Sequence, residues 1–146
     1  DMRKPSIHKK FKISNAAGTA ELLLRKKLFE EVANKYNENL TIITAGKIPP
    51  NPSEMLASRA MTAFIEEMKK EFKYIILDTP PLQAVTDAQV LSTKADGVLL
   101  VVRAGSTKKE MVLNSVDLIN KVHGKVIGTV LNGVENKKNN YYYYGE

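Results

Sequence analysis

Asp78 closes the apolar run Tyr74-Ile75-Ile76-Leu77 and is followed by Thr79-Pro80-Pro81. A carboxylate held at the rim of an apolar strand is an arrangement that steadies Mg²⁺ on a nucleotide, directly or through water. The two prolines prevent an immediate helix and leave open backbone beside the acid. The plainer alternative is an aspartate that only starts a turn. The strand and Asp78 do not decide between the two readings, and Thr79-Pro80-Pro81 tilts the balance toward a site. Other chemistries are closed off by composition: Cys is absent and there are only two histidines, His8 and His123, so disulfides, thiolate metal sites and cysteine nucleophiles are excluded.

Asp78 has to be positioned by a fold, and the pattern of the 146 residues predicts one α/β domain. Four short apolar runs, Leu40–Thr44, Tyr74–Leu77, Val98–Val102 and Val126–Leu131, are rich in β-branched residues and mostly lack polar alternation. Such runs suit a parallel sheet covered on both faces by helices. Ligands of open parallel sheets sit at the carboxyl ends of the strands, which is where Asp78 falls. The crossover helices are predicted over 20–36, burying Leu24, Leu28, Val32 and Tyr36; from Asn51-Pro52-Ser53-Glu54, with a stripe of Met55, Ala60, Phe64 and Met68; after Thr86-Asp87; and from Thr107-Lys108-Lys109-Glu110 through Met111, Ser115, Leu118, Ile119 and Val122.

Net charge is +6, and residues 1–27 supply all of it. Arg3, Lys4, Lys9, Lys10, Lys12, Arg25, Lys26 and Lys27 stand there against Asp1 and Glu21. This basic segment suits phosphate, anionic lipid or an acidic partner, or is a solvated face. His8 is expected to be exposed within it, and His123 to end a helix. No apolar run approaches the ~18 residues that cross a bilayer, and residues 1–5 have no signal-peptide core, so a soluble, intracellular chain is expected. The only low-complexity segment is the end, where Tyr141, Tyr142, Tyr143 and Tyr144 follow Lys137 and Lys138. Tyrosine clusters can stack bases, but without a defined platform this one is weak ground for nucleic acid, and none is expected as a partner.

Asp78-Thr79-Pro80-Pro81, the opening Asp1-Met2-Arg3-Lys4-Pro5, the loop Thr44–Glu54, the strand end Leu131-Asn132 and the terminal tyrosines together resemble the bacterial tyrosine kinases of capsular and exopolysaccharide synthesis. The similarity runs in order over essentially the whole chain. That family is similar to deviant P-loop ATPases, so the resemblance implies a P-loop NTPase-like, three-layer α/β fold over 1–132 and a flexible tyrosine tail over 133–146. It implies ATP and Mg²⁺ as cofactors, with Asp1 as the second aspartate of the Walker A′ motif and Asp78 as the Walker B aspartate, both serving Mg²⁺. Asn132 matches an asparagine that contacts adenine, or is a turn residue. Arg103 follows a strand's carboxyl end and is weakly assigned to the same rim; Lys108 and Lys109 are better taken as ordinary exposed helix residues. Tyr141–Tyr144 become phosphoacceptors. The implied partners are a membrane-embedded polysaccharide copolymerase or activator, further subunits of a homo-oligomeric ring, and a tyrosine phosphatase, at the cytoplasmic face of the plasma membrane.

The departure from that pattern is the phosphate cradle. No G-x-x-x-x-G-K-[ST] occurs, and Gly18-Thr19 and Gly46-Lys47 lack the glycine spacing that curls backbone N–H groups around phosphates. Phosphoryl transfer is positioning and charge stabilisation, so this chain by itself is expected to be an inactive share of a longer kinase, with a central strand missing and apolar edges exposed. From Asn132 to Tyr141 the chain can extend about 30 Å, which suits phosphorylation between subunits. Four phosphates at roughly −1.5 to −2 charges each would cancel the positive balance. Two other readings stay open: a non-catalytic phosphoacceptor or interaction protein of the polysaccharide machinery, and a septum- or plasmid-positioning ATPase, which leaves the tyrosines unexplained.

Overall fold

The structure is a computed structural model describing residues 1–135. In chain order its elements are α1 (Ile7–Phe11), α2 (Thr19–Leu23), α3 (Phe29–Val32), β1 (Ala33–Asn37), β2 (Leu40–Ile43), α4 (Pro52–Ala57), α5 (Arg59–Met68), α6 (Asp87–Ser92), β3 (Val98–Arg103), α7 (Lys109–Lys121) and β4 (Val126–Asn132). Strands β3 and β4 are parallel, with Leu99 opposite Gly128 and Arg103 opposite Asn132, and α7 connects them. The expected α/β class is therefore present. Ile119 of α7 has no exposed surface and Ser115 is buried beside it in sequence register, whereas Met111 on the expected stripe is exposed. Thr107, the expected start of this helix, does not cap it: its hydroxyl accepts from the Arg103 N–H, and Lys108 occupies the cap position.

The stretch expected as one helix over 20–36 divides into α2, α3 and β1. Arg25 has φ 56°, a left-handed backbone that ends α2, so Leu24 and Leu28 are exposed and only Val32 of the expected stripe is buried. Residues 33–37 instead pair antiparallel with β2, and Asn37 Oδ1 accepts from Asn39 N–H in the connecting turn. A long-range ladder has overridden a local helical pattern. Tyr36, expected in the core, is exposed and meets Phe11 edge-on at 5.1 Å.

A second helix does begin at Pro52, but Asn51 caps no backbone group; its amide bonds the Glu54 carboxylate instead. The helix breaks at Ser58, whose Oγ accepts from Met61 N–H and donates to the Met55 carbonyl. That break rotates the buried stripe to Leu56, Met61, Ile65 and Met68, leaving Met55, Ala60 and Phe64 half-buried. Leu56, Met61 and Ile65 join Met2, Ala20, Leu23 and Leu91 in the main core cluster, against which Met55, Ala60 and Phe64 pack. His8, expected to be exposed, is half-buried in α1, while His123 follows α7 as expected, in a left-handed conformation.

Two further expectations are corrected. Tyr74–Leu77 forms no strand, because no segment among the described residues pairs with it; Tyr74 is 77% and Ile76 90% exposed. The sheet is not covered on both faces either. Leu99, Val101 and Val130 share one face and are all exposed, since no described helix lies over them. These differences set up a contrast in packing cost. Ile119→Ala should destabilise the chain by about 2–5 kcal/mol, whereas Ile76→Ala should stay within about 0.5 kcal/mol, as read from denaturant unfolding midpoints.

Candidate functional site

Asp1 and Asp78 meet. The Asp1 amino group donates to the Asp78 carbonyl oxygen at 2.7 Å and lies 3.6 Å from its carboxylate Oδ2. The hydrogen bond needs only an N–H, so an amide at the same position could make it; the ion pair needs the free amine. Asp1 Oδ1 accepts from the backbone N–H groups of Arg3 and Lys4, closing a tight turn and leaving Oδ2 without a partner among the described residues. The Asp1 side chain is 16% exposed and that of Asp78 57%. Both border an open cleft of about 390 Å³ lined also by Met2, Ile42, Ile75 and Leu77. Two aspartates lining one cleft form a donor set that suits Mg²⁺, which takes one or two carboxylates and completes its shell with water and phosphate oxygens. No cluster of three or more His, Asp or Glu ligands exists among the described residues.

The turn at Asp1 is anchored by a network the sequence does not announce. Asp87, the first residue of α6, has no exposed surface. Arg3 grips it with two hydrogen bonds, Nε to Oδ2 at 2.9 Å and Nη2 to Oδ1 at 2.8 Å, and Nη2 also reaches Ser53 Oγ at 2.8 Å. Ser53 Oγ in turn donates to Asp87 Oδ1 at 2.6 Å. Burial alone would raise the Asp87 carboxyl pKa, but the Arg3 and Ser53 hydrogen bonds and the guanidinium charge hold it below its ordinary value. Arg3, one of the cations of the basic segment, therefore has its charge committed to Asp87. The available signal was an aspartate at a helix start beside Thr86, which reads equally as a cap.

Arg103 and Asn132 lie opposite each other at the ends of β3 and β4, both exposed. Asn132 Oδ1 accepts from the Gly133 N–H and its carbonyl from Ala104 N–H, a geometry that serves the turn. Neither residue lines the Asp1–Asp78 cleft. Lys108 and Lys109 are exposed as expected. Gly18-Thr19 and Gly46-Lys47 are occupied structurally: Gly18 N–H bonds Glu21, Thr19 N–H the Thr44 carbonyl, Gly46 N–H Asn15 and Lys47 N–H Glu21. A Cβ on Gly18 would collide with the Thr44 carbonyl oxygen, so this glycine is needed for close packing of two loops. Tyr141–Tyr144 lie outside the described residues.

The lowered Asp87 pKa fixes the sign of a pH effect. Its ionised form is favoured in the folded state, so its contribution is present above the unfolded carboxyl value, near 4, and is lost as pH falls through the lower folded value. Asp87→Asn should lower Tm at pH 7 by several degrees and flatten the fall of Tm below about pH 4, as followed by thermal unfolding between pH 7 and 2.

No family model matches the chain. It is 38% identical to the tyrosine-protein kinase YwqD of Bacillus subtilis over 99% of its own length and 62% of that protein's. Among solved structures, the kinase domain of the Escherichia coli tyrosine kinase Etk superposes with TM-score 0.89 at 33% identity, over all of this chain and 58% of that one. The VpsO kinase domain superposes with TM-score 0.87 at 31% identity, over 92% of this chain and 68% of that one. The chain thus spans somewhat more than half the length of YwqD and of these two kinase domains. With this shared fold and sequence identity, the chain belongs to the bacterial tyrosine-protein kinases.

Proposed function

We propose that this chain is the C-terminal share of the catalytic domain of an ATP-dependent protein-tyrosine autokinase that regulates capsular or exopolysaccharide synthesis and export. The observation that carries the reading is the approach of Asp1 to Asp78 at the cleft. Asp1 uses one carboxylate oxygen in its own turn, which orients the other, and Asp78 presents an exposed carboxylate at the same cleft. These two residues would hold Mg²⁺, which when bound neutralises charge on the nucleotide's phosphates. Arg103 and Asn132, at the ends of neighbouring parallel strands, are proposed for the nucleotide side of the rim. Tyr141–Tyr144 accept phosphate from another subunit of a ring: the tyrosine oxygen bonds the γ-phosphorus as the bridging oxygen departs with ADP. The phosphate cradle belongs to the remaining part of the kinase, and the 146 residues alone are inactive.

The same proposal extends to the setting. The kinase works at the cytoplasmic face of the plasma membrane, held there by a membrane-embedded copolymerase or activator and reversed by a tyrosine phosphatase. The test uses the complete protein containing this chain, with Mg·ATP. Phosphotyrosine should appear within residues 133–146, and Asp78→Asn should reduce it roughly 100-fold or more, the scale for removing one preorganised electrostatic group. Undiminished labelling in Asp78→Asn would overturn the reading. Phosphorylation of the tail only by an added second kinase would leave the phosphoacceptor role in its place.

A further inference from the structure

We propose that Arg3, Asp87 and Ser53 form a positioning clamp for the acidic pair, locking the turn at residues 1–4 so that Asp1 stays opposite Asp78. The inference rests on the metal-binding reading of that pair. The turn is pinned at both ends. At one end Asp1 Oδ1 accepts from Arg3 and Lys4 N–H at 2.8 and 3.0 Å; at the other the Arg3 side chain runs into the interior and closes on Asp87 through two hydrogen bonds. Asp87 and Ser53 are the first and second residues of α6 and α4, so the clamp ties the turn to two helices at once. Thr86 Oγ1 adds a contact to Ser53 Oγ at 3.3 Å. A lysine could not reproduce this geometry, because the planar guanidinium supplies the forked donors that match both carboxylate oxygens and the serine together.

A buried ion pair need not stabilise a fold more than well-packed apolar residues would. What this one adds is direction: the backbone N–H of Arg3 orients the Asp1 carboxylate while its side chain is fixed by Asp87. Residues that orient ligands from behind commonly change metal affinity by about 10–100-fold when altered.

The experiment titrates Mn²⁺ into the complete protein with ADP bound and reads the dissociation constant by electron paramagnetic resonance, alongside autophosphorylation at varied Mg²⁺. The double variant Arg3→Met/Asp87→Leu removes both charges and avoids an unpaired buried one. It should weaken Mn²⁺ about 10-fold and raise half-saturating Mg²⁺ in parallel, with kcat recovered at saturating metal. Arg3→Lys should restore only part of the loss, and Ser53→Ala should weaken Mn²⁺ about 2–3-fold, as for one lost hydrogen bond. A folded double variant with unchanged Mn²⁺ affinity, while Asp78→Asn weakens it, would overturn the clamp and leave the metal reading standing. Unchanged affinity in Asp78→Asn would remove both. If the double variant does not fold, Ser53→Ala decides: an unchanged Mn²⁺ constant there overturns the clamp.

Discussion

A carboxylate with no exposed surface is tolerated only where a cation and hydrogen bonds replace its water, and Asp87 obtains both from Arg3 and Ser53. The partners come from positions 3 and 53, so one buried charge at position 87 fastens the opening segment to two helix starts. Met2, between Asp1 and Arg3, is carried into the main core at 4% exposure. The polar clamp and the apolar anchor are therefore consecutive residues of one short segment. Their joint effect is to hold residue 1 beside residue 78.

A second constraint is the demand of a strand for neighbours. Tyr74–Leu77 has the composition of a central strand and none of its ladder, and the face formed by Leu99, Val101 and Val130 has no covering layer among the described residues. Backbone donors and apolar side chains left open in this way mark the sheet as unfinished within residues 1–135. Relatives such as YwqD are longer, with the chain spanning 62% of that protein.

What the sequence made legible follows from the range of the forces involved. Strands β3 and β4 and helix α7 were readable because continuous apolar runs and helical spacing are local properties. Asp78 was readable because a charge ending an apolar run is conspicuous. The hairpin of β1 and β2 was not, since residues 33–36 continue a helical pattern and only pairing with 40–43 selects the strand. The clamp was invisible for the same reason at greater distance: Arg3 stood among eight cations of a basic segment, and Asp87 looked like a helix cap 84 positions away. Ser53 was noticed only as part of the helix start Asn51-Pro52-Ser53-Glu54.

The clamp also changes the electrostatics of the cleft. Arg3 is the cation nearest in sequence to Asp1, and its charge is matched by Asp87 in the interior, so it does not offset the rim carboxylates. The backbone nitrogen of Asp1 lies 3.6 Å from Asp78 Oδ2. Were that nitrogen an amide within a longer chain, its hydrogen bond to the Asp78 carbonyl would remain while its positive charge would vanish. The two carboxylates lining the cleft would then repel each other, and its apolar walls screen less than open water does. A divalent cation relieves that repulsion and presents positive charge outward to phosphate. By committing the nearby guanidinium elsewhere, the fold keeps the acidic pair available to a metal ion.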